Sequence, residues 1–116
     1  AGGIPQERRV ERPTLAGRAA MSDYPALAHL LGAYLHQDFL DEFPSSLDAV
    51  RVFVITEPIE LVRSADDEIT NLLQDERFQD GLGLILRALG SFYDPDSEGV
   101  SPADWLEQVR VILRSR

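Results

Sequence analysis

Apolar positions recur every three or four residues in five stretches of the chain, separated by breaks rich in Pro, Gly and Ser. This is the pattern of helices that each lay one face on a shared core. The first stripe is Leu27, Leu30, Leu31, Tyr34 and Leu35. It follows Pro25, whose fixed φ and missing N–H suit the first helical position, with Ser22 and Asp23 just upstream. If that helix continued, Asp38, four residues beyond Tyr34, would turn its carboxylate toward the same stripe. It is therefore expected to act as an internal cap or to pair with an arginine, because an unpaired buried charge is very costly. Phe43-Pro44-Ser45-Ser46 marks a break. From Leu47 to Thr56 the pattern supports two readings. Val50, Val52 and Val54 alternate as in a strand, whereas Leu47, Val50, Phe53 and Val54 make a helical stripe behind a Ser45/Asp48 capping box. A helix is expected there.

Glu57-Pro58 opens a third helix with Val62, Ala65, Ile69, Leu72 and Leu73 on its apolar face. Glu60, Arg63, Asp66, Asp67 and Glu68 lie opposite, with Arg63 and Asp67 spaced for an i, i+4 pair. Phe78, Leu82, Ile85, Leu86 and Leu89 give a fourth helix that ends at Gly90, a residue suited to a left-handed cap. Gly81 and Gly83 weaken it, and are expected to permit close packing or to delay its start. The last helix has Ser101 as N-cap, Pro102 at N1 and Asp104 at N3, followed by the stripe Trp105, Leu106, Val109, Ile112 and Leu113. The expected fold is all-α, a compact antiparallel bundle of about five helices.

Residues 1–20 differ. They carry Gly2, Gly3, Pro5, Pro13 and Gly17, four arginines and no sustained apolar period, and the sole methionine, Met21, stands directly before the first helix signal. They are expected to be a flexible extension or an added leader, with the helical domain at 21–116. They lack the apolar stretch of a secretory signal. Setting them aside changes the charge picture: the whole chain is at −9, but residues 21–116 hold seven arginines, no lysine and eighteen carboxylates, a net of −11. Such a body repels nucleic acid, whose phosphates require Lys and Arg, and attracts a basic protein. There is no cysteine, which removes disulfides and zinc-thiolate sites and fits a reducing cytoplasm. No apolar run approaches the roughly 20 residues that a membrane span needs.

Enzymatic readings lack parts. His29 and His36 are the only histidines, about 10.5 Å apart along one helix at 1.5 Å per residue, too far for one metal ion to take both readily. There is no Gly-x-Ser-x-Gly elbow. Asp94-Pro95-Asp96-Ser97-Glu98-Gly99 copies the start of a calcium-binding loop, but position 9 is Pro102 and position 12, which should be a bidentate Glu, is Trp105. A turn-rich helix connection is the other reading of that loop. Tyr93 and Trp105 are candidate interface anchors, though a Trp in the first turn of an amphipathic helix reads more readily as core. No catalytic residue, metal or cofactor is implied.

Two signatures remain: Gly32-Ala33-Tyr34-Leu35-His36-Gln37-Asp38-Phe39, and Phe92-Tyr93-Asp94-Pro95 running on to Gly99-Val100-Ser101-Pro102-Ala103-Asp104-Trp105-Leu106. With the Leu-rich start and Glu57-Pro58 in the same order, they resemble the all-helical immunity proteins of bacterial contact-dependent growth inhibition systems over nearly all of residues 22–114. Members more often have Trp where this chain has Phe39. The resemblance implies a cytoplasmic antidote that binds a cognate toxin domain, in many systems a nuclease with a basic cleft, with no nucleic-acid or membrane partner. It also implies that Gly32, Tyr34, His36, Gln37, Asp38, Phe39, Tyr93, Asp94, Pro95, Ser101, Pro102, Trp105 and Leu106 serve mainly the fold. Toxin contacts are then expected among the acidic clusters outside the signature cores: Asp41 and Glu42; Asp66, Asp67 and Glu68; Asp94, Asp96 and Glu98. A calcium-responsive helical module, and an acidic scaffold or nucleic-acid-mimicking regulator, are the alternatives.

Overall fold

The computed structural model describes residues 23–116; the expected extension at 1–20, with Met21 and Ser22, lies outside the described residues. Six α-helices occur there: α1 (Pro25–Tyr34), α2 (Phe39–Glu42), α3 (Ser46–Thr56), α4 (Ile59–Leu73), α5 (Leu82–Ala88) and α6 (Pro102–Leu113). Five of them span at least seven residues, and 3₁₀ turns at Glu76–Phe78 and Pro95–Glu98 flank α5. The fold is all-α. α1 packs on α3 and α4, and α6 packs on both of those. Leu27, Leu30, Leu31, Phe53, Val62, Ile69, Leu72, Trp105 and Leu106 are buried between them, which places the predicted stripes in one core.

Residues 46–56 form a helix. Ser45 accepts from the Asp48 N–H at 3.2 Å and donates its hydroxyl to the Asp48 carboxylate at 2.9 Å, so the capping box outweighs the β-branched run. Ser101 likewise accepts from the Asp104 N–H at 3.1 Å, and Pro102 sits inside the first turn of α6.

Three local expectations are corrected. α1 stops at Tyr34, because the Leu35 carbonyl, which a continuing helix would pair with Phe39, accepts instead from the Phe92 N–H at 2.8 Å. Asp38 is consequently exposed at the start of α2, turned away from the stripe, with neither a side-chain cap bond nor an arginine partner among the described residues. Phe78 is not on the fourth helix: it belongs to a separate 3₁₀ turn, and α5 starts only after Gly81, the late start that is one of the two effects expected of Gly81 and Gly83. Arg63 and Asp67 form no ion pair within 4 Å, in line with the weaker order of a cation N-terminal to an acid.

Gly90 is the tightest joint. Its φ is +116°, and a Cβ there would lie 3.0 Å from the Cα of Gly32. The α5 exit therefore touches the α1 backbone, and this approach sets the 2.8 Å bond between Phe92 and Leu35.

Candidate partner-binding face

The acidic third helix predicted as a solvent face is only partly free. Asp66 is half-buried and accepts from Arg110 at 3.3 Å and from Arg114 at 2.9 Å, tying α4 to α6. Glu68 reaches across to α1 and accepts from the Leu27 N–H at 2.9 Å. Tyr24 gives α1 no side-chain cap, so a carboxylate 41 residues away supplies the missing acceptor and complements the helix dipole. Desolvation raises the Glu68 pKa, opposed by these backbone bonds. Of this cluster, Asp67 alone is exposed.

Other polar groups also serve the fold. Glu57, at the end of α3, accepts from Tyr34 at 2.7 Å and lies 3.1 Å from His29 Nε2. The Tyr34 bond, then His29, holds this carboxyl below the usual range, while burial and Glu57 push Tyr34 up to about 12. Asp75 is bound by Arg77 and accepts from Tyr24 at 2.7 Å, which keeps its carboxyl well below normal. His36 accepts the Asp38 N–H at Nδ1 and turns Nε2 toward Glu42 at 3.4 Å. The two histidines thus face different carboxylates on different elements. Trp105 is core, with its indole N–H donating to buried Ser46 at 3.1 Å.

The loop Asp94–Gly99 has its own internal economy. Asp94 accepts from the Asp96 N–H at 3.1 Å and caps the 3₁₀ turn, Pro95 is buried, and Gly99 closes the turn at φ +77°. Tyr93 donates to Glu98 at 2.7 Å, and burial followed by Glu98 pushes it up to about 12. These carboxylates point to different tasks, and no group of three or more His, Asp or Glu converges for a metal ion among the described residues. That geometry gives the calcium reading no support.

What the loop does frame is a surface. Leu40, Phe92 and Leu84 are about two-thirds exposed, at 65%, 65% and 67%. Three shallow grooves of about 250, 190 and 270 Å³ run beside them and share walls: Phe92, Tyr93 and Asp94 separate the first two, and Arg87 and Asp94 separate the second from the third. Asp80, Asp94, Asp96 and Glu98 line this strip. Asp94, Asp96 and Glu98 are thus brought together with Leu40, whose neighbours Asp41 and Glu42 are exposed on α2. Asp66, Asp67 and Glu68 do not line it.

Leu40, Leu84, Asp80 and Arg87 escaped the reading of the sequence. Leu84 carried a signal: at 100° per residue it lies opposite Leu82, outside the stripe through Ile85, Leu86 and Leu89, so it is an apolar residue without a core position.

The CdiI immunity protein model matches residues 23–113, nearly all of the described chain, and the protein belongs to that family. Comparison with curated proteins and with solved structures gives no match. No helix among the described residues is long and apolar enough to cross a membrane.

Proposed function

We propose that this protein is a cytoplasmic antidote that binds one contact-delivered toxin domain, a nuclease with a basic cleft, and neutralises it by covering that cleft without performing chemistry. The observation that carries the reading is the family match over residues 23–113 on a body whose residues 21–116 bear a net charge of −11. A surplus of carboxylates attracts a cleft built to hold phosphates and speeds the encounter, while close apolar contact slows release. Among the described residues, Arg51, Arg77, Arg110 and Arg114 each pair with a carboxylate of this chain, so their charge is offset internally and the surplus of carboxylates remains.

The test is protection in cells. The toxin is the C-terminal domain of the large secreted polypeptide expected from the reading frame directly upstream. Its expression inside the cell should halt growth and degrade nucleic acid, and co-expression of this protein should restore both. Growth arrest that persists with this protein in excess would refute the antidote role. Rescue from a toxin that leaves nucleic acid intact would refute the nuclease assignment alone.

A further inference from the structure

We propose that the strip carrying Phe92 is the surface that receives the toxin, with the Phe92 ring as its anchor and a basic, apolar-centred patch on the toxin as its occupant. This rests on the antidote reading given above.

Phe92 is 65% exposed, yet the backbone around it is tied to the fold by hydrogen bonds. Its N–H is bonded to Leu35 at 2.8 Å, and buried Ser91 bonds both the N–H and the carbonyl of Tyr93. The Tyr93 ring packs edge-on to Phe39 at 5.9 Å and lies 5.2 Å from Trp105. Phe92 therefore projects from a rigid base. An aromatic side chain held out in this way loses little freedom on binding and has the large contact area of a hot spot. Leu40 and Leu84 extend the apolar strip on either side.

Charge selects the occupant. Asp80, Asp94, Asp96 and Glu98 border the strip, against the single cation Arg87. A second copy docking through this face would oppose carboxylate to carboxylate, and a nucleic acid would oppose phosphate to carboxylate. A toxin surface with Lys and Arg around an apolar pocket complements both parts. Ile55 and Val111 are as exposed as Phe92, but they stand on α3 and α6 and line none of these grooves.

The experiment measures binding of the full chain to the toxin domain encoded directly upstream, with Phe92→Ser, the pair Asp80→Asn and Asp96→Asn, and Ile55→Ser. Neither Asp80 nor Asp96 uses its carboxylate in a hydrogen bond or ion pair among the described residues, so the charge variant tests the surface and not the fold. Circular dichroism and melting confirm that each variant is folded. Phe92→Ser should raise Kd about tenfold or more, chiefly through faster dissociation. The Asp pair should slow association at low salt and flatten its salt dependence, and Ile55→Ser should bind as the unaltered protein does. Unchanged binding by folded Phe92→Ser, or loss of binding with Ile55→Ser alone, would overturn this face while leaving the antidote function intact. A self-associated form held through Phe92 that the toxin does not displace would also overturn it. Absence of any complex with the unaltered chain would instead refute the function on which the assignment rests.

Discussion

Glu68 shows how the role of one residue depends on partners far along the chain. Its place among charged neighbours predicts a solvated side chain, but its carboxylate caps α1 through the Leu27 N–H. Glu68→Ala should destabilise the protein by about 1 kcal/mol, the usual effect of losing a cap. Glu68→Gln should recover most of that, since its carbonyl can accept the same bond without an ionised group to desolvate. Denaturant melts distinguish the cap from a mere surface charge: equal stability for Ala and Gln would exclude capping. Reversing Asp66, Asp67 and Glu68 together would break the link to Arg110 and Arg114 as well as this cap, so it would change stability along with surface charge and would not report on binding alone.

Local chemistry marks several helix boundaries well. The Ser45/Asp48 box and the Ser101-Pro102 start are legible because the groups that make them lie within three residues of each other. The end of α1 is not, because it depends on Phe92, and neither is the pairing of Asp66, whose partners lie 44 and 48 residues on. Periodicity revealed the core faces of α1, α4 and α6, and the same period overlooked the strip beside Phe92, which α2, α5 and a loop assemble. At this scale the joint between α5 and α1 is the most exacting. Gly90→Ala would force a side chain into φ +116° and bring its Cβ to 3.0 Å from Gly32. The expected loss is about 2–3 kcal/mol, within the range for strained non-glycine backbone. Gly32→Ala, with open space for a Cβ, should be neutral or stabilise by up to about 1 kcal/mol. Thermal melts of the two variants check the asymmetry, and equal effects would contradict the close approach as described.

For the whole molecule, the burial of three tyrosines bonded to carboxylates, and the hydrogen bonds from Arg77 and tyrosines that hold Asp75 and Glu57 low, predict a stability plateau with two edges. Tyr24, Tyr34 and Tyr93 are pushed up to about 12, so the stability they contribute is present below the unfolded value of about 10 and is lost as pH rises toward 12. Glu57 and Asp75 are depressed, so their contribution is present above the unfolded values near 4 and is lost as pH falls through the lower folded ones. Melting across pH, with Tyr34→Phe narrowing the alkaline loss, is the check; an alkaline edge that ignores Tyr34→Phe would contradict that tyrosine's share.

The same ionised surface organises the account of function. Carboxylates that bind arginines or backbone tie the helices together, while the carboxylates of Asp80 and Asp96 beside Phe92 have no such partner among the described residues and belong to the proposed toxin-facing strip. The most direct measurement is a titration of the purified toxin domain's activity with this protein in vitro. Activity should fall linearly and vanish at one molecule of protein per molecule of toxin. Full toxin activity at several-fold molar excess would contradict the antidote role.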